Sequence, residues 1–557
     1  MRGADAAPRP RTLALLAAAY LAATIVITWP LAAGPTSRLA GDYGDALFVA
    51  WVMGWVGDHL WAVLGGDTAA WTAMWQAPIF APSPDALTFS EHFLAQSVQA
   101  LPVLWLTGNA VAGYNVVYVA TIALTGLAAH LLTVRLSASH LAGAVAGLTC
   151  TFSDYRFLWS VVHLHTLSIH WWILALLAID RFVARPRVLP LAGAALALVA
   201  LALSSNYLLA YCAPFTVAVA LWSMARHGRL ADRRVWAGLA ATGAAAIAVA
   251  LPIAARYLST REALQVTRTA QEMAGGSASL AAYRDALPWI GPLAALAIVG
   301  ALAPAGRSPA GLSRRARWAL LAFAAAAVAL SFGPIVTVGA ATFTGPYAWL
   351  SAVVPGFSGL RVPHRFVAVA TVFLSVLAGF GAVWLARWRI GMVAVAIVVA
   401  SATRTAWSRP FPIDVPLISE PLAQPPPYLS PTATLPPIYR LAAALPPSAV
   451  LAELPFGVTA YEVRYTWFTR AHGRRVLNGY SGLLPPGYLV RQAALATPIR
   501  DAEAAWNALA PATHAVVHAA AWRDDTGRRI ADWLESHGAR LVAAPGDGAR
   551  LYELPRH

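Results

Sequence analysis

Apolar residues run along this chain in long blocks rather than in alternation. Segments near 12–33, 94–109, 113–134, 139–152, 165–182, 188–203, 207–224, 235–257, 286–303, 318–341, 366–386 and 390–407 carry almost no charge. Runs such as LALVALALSSN and AAAIAVALPIAA are continuous and rich in Ala and Leu. A closed β-barrel would alternate apolar and polar positions, so these blocks predict spanning helices. A further segment, 46–64, holds Trp51, Trp55 and Trp61. It is predicted either to span or to lie at the interface, where Trp is favoured. Several blocks fall short of the roughly 20 residues that a perpendicular span needs, so some are tilted or re-entrant. The first, LALLAAAYLAATIVITWPLAA, is longer than the apolar region of a secretory signal and is followed by more spans. It reads as an uncleaved helix.

Arginines between the blocks set the orientation. They cluster at Arg2, Arg9 and Arg11; Arg135; Arg181, Arg185 and Arg187; Arg226, Arg229, Arg233 and Arg234; Arg307, Arg314, Arg315 and Arg317; and Arg387 and Arg389. From Arg135 onward two apolar segments separate successive clusters, so all can be cytoplasmic together. The N-terminus is then cytoplasmic, and the C-terminus lies outside after about eleven or thirteen passes. This arrangement gathers the acids, His, Asn, Tyr and unclustered Arg on the external side.

The pattern changes after residue 407. Residues 1–407 form the membrane domain, with a first external loop at 34–93. Residues 408–437 are Pro-rich (RPFPIDVP, AQPPPYLSP) and read as an extended linker. Residues 438–557 alternate strand-like and helix-like stretches, which predicts a small external α/β domain. AVLAELPF and HAVVHAA are its strands, DDTGRRIADWLESHG an amphipathic helix, and RLVAAPGDGARLYEL a hairpin turning at Gly-Asp-Gly. The fold class is thus a polytopic α-helical membrane protein with a C-terminal α/β domain.

Composition narrows the function. The chain is 59% hydrophobic and 12% charged, against about 25% charged in a soluble domain. The net charge of +15 comes from Arg alone, since the chain has no Lys. Lys-based covalent chemistry is therefore excluded. The Arg residues follow the positive-inside pattern and form no basic, aromatic-interleaved patch, which argues against nucleic acid. Cys150 and Cys212 lie inside apolar segments, so neither a disulfide framework nor a Cys-based zinc site is expected.

Five external stretches carry candidate chemistry. GDYGD places Asp42 and Asp45 just after the first span. Asp45 is the predicted N-cap of a helix starting at Ala46. A carboxylate at this position can also serve as general base, or as ligand for a divalent ion on a phosphate. In FSEHFL, Ser90 is the predicted helix cap, Glu91 sits in the first turn, and His92 adds a group that titrates near neutrality. In FSDYRFLWSVVHLHTLSIH, Arg156 pairs with Asp154 or with a phosphate, while Tyr155, His163, His165 and His170 line a polar pocket. His163 and His165 are two apart and would not share a helix face, so a zinc site there is weakly supported. SSNY reads as a helical-hairpin turn whose Asn206 and Tyr207 can contact a sugar. In LRVPHRF, Arg361 and Arg365 oppose the positive-inside trend and call for an anion, and Arg is the preferred bidentate phosphate binder.

The order of these features resembles the GT-C superfamily of membrane glycosyltransferases. GDYGD matches the place of its first-loop acid. YNVVYVATIALTGLAAHLLTVRLSASHLAGAVAGLTCTFSDYRF looks like the third-to-fourth helix region of bacterial members. RVPHRF before a Val/Ala-rich helix resembles a late external loop in that group. The resemblance covers most of 12–407 and implies a polyprenyl-phosphate sugar donor and an extracytoplasmic lipid, glycan or protein acceptor. It implies Asp42 as base, with Asp45, Glu91 and His92 in support, and Arg156, Arg361 and Arg365 on the donor phosphate. Asp42 and Asp45 stand further apart than the tight acid pairs of other members, which leaves both a metal-independent and a Mg²⁺ or Mn²⁺ form open. The rival readings are a transporter or lipid-linked-sugar flippase, and a non-catalytic assembly protein of envelope polysaccharide. Few charges fall in mid-span, which favours the enzyme over the transporter.

Overall fold

The computed structural model describes residues 9–159, 161–265, 268–304, 311–354, 356–426, 435–496 and 498–555. Seven of its helices are long and apolar enough to cross a membrane: Pro10–Ile27, Asp45–Leu64, Ala110–Ser137, Leu164–Ala184, Asn206–Arg226, Arg233–Ala263 and Pro363–Leu385. The pair Ala270–Pro288 and Ile290–Leu302, bent by 85°, makes an eighth if it is one span. Val188–Ser204 and Arg389–Ala402 are shorter apolar helices.

By length and composition alone the described residues thus give seven or eight such helices, beside shorter apolar ones, where eleven to thirteen passes are expected. Segments 94–109 and 139–152 do become helices, but Leu94–Thr107 and His140–Thr151 have only 14 and 12 residues. At 1.5 Å per residue they reach about 20 Å, short of a hydrocarbon core of about 30 Å. The block 318–341 splits into the helix Arg314–Ser331, which opens on three arginines, and the hairpin β1 (Ile335–Val338) and β2 (Ala341–Thr344). Segment 46–64, by contrast, is a full spanning-length helix.

Contacts divide the chain into two compact units. The first comprises 1–29, 118–255 and 266–411. Its centre is Phe366–Leu385, almost wholly buried. Small residues let backbones approach it closely. A Cβ on Gly300 or Gly381 would overlap carbonyl oxygens of Leu377 or Leu296, and one on Gly379 would overlap that of Ala142. The helices Leu280–Leu302 and His140–Thr151 therefore dock on Phe366–Leu385 backbone to backbone, as glycine allows in lipid, where the hydrophobic effect adds little.

The same unit holds one buried ion cluster near its Arg-rich turns. Asp180, 1% exposed, accepts hydrogen bonds from Arg135 Nε at 2.9 Å and Ser223 Oγ at 2.8 Å, and also from Arg226. These contacts join the helices Ala110–Ser137, Leu164–Ala184 and Asn206–Arg226.

The second unit comprises 30–117, 256–265 and 412–557. Its five-stranded sheet has the order β4-β3-β5-β7-β6, from β3 (Val450–Leu454), β4 (Arg475–Val476), β5 (His514–His518), β6 (Arg540–Ala543) and β7 (Ala549–Glu553). Strands β4, β3 and β5 are parallel, and β6–β7 is the expected hairpin, turning through Gly546 and Gly548 at positive φ. The edge strand β4 is only two residues long, and the first loop covers it. Phe80 and Ala81 donate to the carbonyls of Asn478 and Val476 at 2.8 and 2.9 Å, and Val476 donates to Pro78 at 2.9 Å. An edge is thereby closed within the chain.

Asp180→Ala leaves Arg135 buried without its carboxylate. The expected cost is about 3–5 kcal/mol, read as loss of monodisperse protein in mild detergent and a lowered melting temperature.

Candidate functional site

In the second unit GDYGD is held by backbone pairing with the start of the Pro-rich segment. Gly41 N–H donates to Pro412 O and Tyr43 N–H to Val415 O, both at 2.9 Å, while Val415 N–H returns to Gly41 O at 3.1 Å. Asp414 Oδ1 accepts the Leu39 N–H at 2.8 Å, and its other oxygen lies 4.0 Å from Arg38. Burial and the Asp414 charge push the Tyr43 phenol up to about 12.

The roles of the two acids differ from expectation. The helix begins at Asp45, one residue early, so its N-cap position falls to Gly44. It is Asp42 that caps: its Oδ1 accepts the N–H groups of Gly44 and Ala46 at 3.1 and 3.2 Å. That oxygen lies at the positive end of the helix dipole, which favours the ionised form. Asp45 Oδ1 instead accepts a 2.6 Å hydrogen bond from the Tyr480 hydroxyl. Both carboxylates are half-buried.

Glu91 and His92 are buried, at 6% and 0% exposure. Ser90 is not the cap expected there. The helix starts later, at Leu94, whose N–H is accepted by His92 Nδ1 at 3.2 Å, with Phe93 between them at positive φ. Burial draws the His92 pKa down to about 3, so the imidazole is neutral near pH 7 and is not the titrating group that its residue type suggests. It sits edge-on to Trp75 and Tyr257. Arg256 lies over the same Trp75 ring, 5.3 Å from its centroid, and pairs with Asp85 at 3.0 Å.

The first unit gathers the other candidates. Arg156, 5% exposed, does not pair with Asp154, whose Oδ1 accepts the Thr405 N–H at 3.0 Å. Arg156 Nη2 donates to Leu167 O at 3.1 Å and to Thr125 Oγ1 at 3.4 Å, and its Nε has no partner among the described residues. Burial without a counter-ion disfavours its charge. It borders a small pocket lined also by Tyr155, Thr166 and Thr371. Tyr155 stands edge-on to His364. The rings of His163 and His165 meet edge to face at 5.7 Å, because His163 precedes the short helix Leu164–Leu167 rather than sharing it. His165 is within electrostatic reach of Arg365.

SSNY is a helical-hairpin turn, as expected: Ser205 Oγ accepts the Leu208 N–H and caps Asn206–Arg226. Tyr207 lies beneath the Arg365 guanidinium at 5.2 Å. The RVPHRF loop is pinned by Tyr211, whose hydroxyl donates to Val362 O at 2.9 Å, and by His364 N–H on Gly276 O at 3.2 Å. A Cβ on Gly276 would overlap the Arg361 carbonyl. Arg361 itself is exposed. Among the described residues no carboxylate pairs with Arg156, Arg361 or Arg365.

Among the described residues no three His, Cys, Asp or Glu side chains group as metal ligands. Asp42 and Asp45 would bring two carboxylates to a divalent ion. Sequence reasoning missed Asp414, Tyr480, Arg256 and Tyr257, none of which sits in a local motif.

No protein-family model matches this chain, and no curated protein does. Among solved structures it is similar to ArnT from Cupriavidus metallidurans bound to undecaprenyl phosphate, at 13% identity over 98% of each chain with a TM-score of 0.46. It is also similar to the apo state of ArnT from Cupriavidus metallidurans, at 14% identity over 97% of each chain with a TM-score of 0.34. Neither likeness bears on any single residue of this chain.

His92 is neutral when folded but ionises near pH 6.5 when unfolded. Stability is therefore full above pH 6.5 and is lost as pH falls from there towards 3. Melting temperatures between pH 7 and 4 are expected to fall less steeply for His92→Asn than for the wild type.

Proposed function

We propose that this protein is a membrane glycosyltransferase of the GT-C kind, moving a sugar from a polyprenyl-phosphate donor to an extracytoplasmic acceptor. The observation that carries the reading is the set Arg156, Arg361 and Arg365, three cations with no acid partner among the described residues. They lie on the side that the Arg clusters leave outside. Arg156 supports it most, since a buried guanidinium with an open N–H gains from an anionic oxygen.

In this reading the arginines hold the donor phosphate, with Tyr155, Tyr207, Asn206, His163 and His165 around the sugar and phosphate. Asp42 is the general base. Its Oδ1 accepts from the N–H groups of the helix N-terminus, and the carboxylate takes the proton of the acceptor hydroxyl. The acceptor oxygen bonds to the anomeric carbon as the bond to the phosphate oxygen breaks. Polyprenyl phosphate leaves with the electron pair. Asp45 and Glu91 support the base, and neutral His92 shapes the fold around them. If a Mg²⁺ or Mn²⁺ ion takes part, Asp42 and Asp45 would hold it, with substrate oxygens and water completing the shell, and it would neutralise phosphate charge.

The first test is native mass spectrometry of co-purifying lipid. Polyprenyl phosphate or its sugar conjugate is expected on the wild type and lost from Arg361→Ala/Arg365→Ala and from Arg156→Ala. Its absence from the wild type, when a known polyprenyl-phosphate glycosyltransferase retains it, removes the reading.

A second test separates capping from catalysis. Asp42→Asn keeps an Oδ1 for both N–H groups, so its melting temperature is expected to match the wild type. Asp42→Ala is expected to cost about 1 kcal/mol. Transfer from undecaprenyl-phosphate hexoses is expected to fall at least about 100-fold in both. Equal activity of Asp42→Asn and wild type excludes Asp42 as base.

A further inference from the structure

The C-terminal sheet domain delivers one side chain to the acids of the first loop. We infer that Tyr480 is a positioning residue of the candidate site, holding the Asp45 carboxylate in a single orientation. This rests on the glycosyltransferase reading above.

The argument begins with the turn that carries Tyr480. Asn478 just before it is buried and fully engaged. Its Oδ1 accepts the Glu453 N–H at 2.7 Å, and its Nδ2 donates to Glu453 O and Glu462 Oε1, both at 3.0 Å. Gly479 N–H donates to Glu462 Oε2 at 2.7 Å, and Phe80 N–H donates to Asn478 O at 2.8 Å. A Cβ on Gly479 would stand 2.7 Å from the Phe80 ring. The backbone at 478–479 therefore has one position, locked by a buried amide, a buried carboxyl and the first loop.

From that turn the Tyr480 ring packs edge-on against Phe48 at 5.4 Å. Phe48 is three residues from Asp45 on the same helix face. The Tyr480 hydroxyl then reaches Asp45 Oδ1 at 2.6 Å, the length of a charge-assisted O–H···O⁻ bond. One turn further on, Trp51 Nε1 donates to Thr469 Oγ1 at 3.0 Å, so the helix is tied to the same domain at two levels. Tyr480 and Asp45 are 435 positions apart in sequence.

Tyr480→Phe keeps the ring against Phe48 and removes only the donor. With turnover of undecaprenyl-phosphate glucose or mannose by the full chain as the assay, two results are expected. The kcat falls while KM stays within about twofold. In an Asp45→Asn background the same change has no further effect. 4-Fluorophenylalanine at 480, which keeps the ring and fills the place of the hydroxyl without a donor, lowers kcat alike, and it carries the test if Tyr480→Phe does not fold.

An unchanged kcat in both Tyr480 variants, with Asp45→Asn still impaired, overturns this inference alone. A wild type with neither co-purifying polyprenyl phosphate nor turnover overturns the glycosyltransferase reading and this inference together.

Discussion

The backbone pairing between residues 39–43 and 412–415 is the constraint on which the second unit depends. Every buried N–H and C=O needs a partner, and the short stretch before the helix Asp45–Leu64 has no regular structure of its own to supply one. The chain returning after residue 411 supplies it strand by strand, with Asp414 taking the Leu39 N–H. Once that pairing forms, the turn at Gly41 and the start of the helix are set. The Asp42 carboxylate then accepts the N–H groups of Gly44 and Ala46 at the helix N-terminus. The Pro-rich segment is thus a clamp at its start as well as a connection.

A second covering of the same kind joins the first loop to the edge of the sheet through residues 78–81 and 476–478. It turns the C-terminal domain from an appendage into part of the surroundings of Asp45. Interior carboxyls lock this arrangement. Burial pushes Glu462 up to about 8, while the N–H groups of Gly457, Asn478 and Gly479 pull it back. Glu453 accepts from Tyr439 and His518. These acids stabilise the turn at 478–480.

Arginine serves two ends in the first unit, and its partners tell them apart. Arg135 and Arg226 share Asp180 and tie three helices together. Arg156, Arg361 and Arg365 have no such acid among the described residues; Arg156 and Arg365 lie beside Tyr and His side chains and Arg361 is exposed. The residue type is the same, but the electrostatic accounts differ: a closed cluster stabilises the fold, and an open one offers charge to a ligand.

Much of this was legible from residue order because it is local. Apolar blocks become helices, the Ser205 cap divides Val188–Ser204 from Asn206–Arg226, and Gly-Asp-Gly turns the β6–β7 hairpin. Each depends on neighbours within a few positions, where period and capping act. Segments 94–109 and 139–152 look like spans from composition, and their helices have 14 and 12 residues. Which acid caps and which acid accepts a phenol was not legible, because a one-residue shift of the helix start exchanges Asp42 and Asp45. Nor was the neutrality of His92, which follows from complete burial under Trp75 and Tyr257. The sequence alone determined a helical membrane chain with an α/β end and a surplus of arginine. Only the tertiary structure decided which of its charges meet, since Asp45–Tyr480 and Asp414–Leu39 join residues hundreds of positions apart, and no local period encodes such a contact.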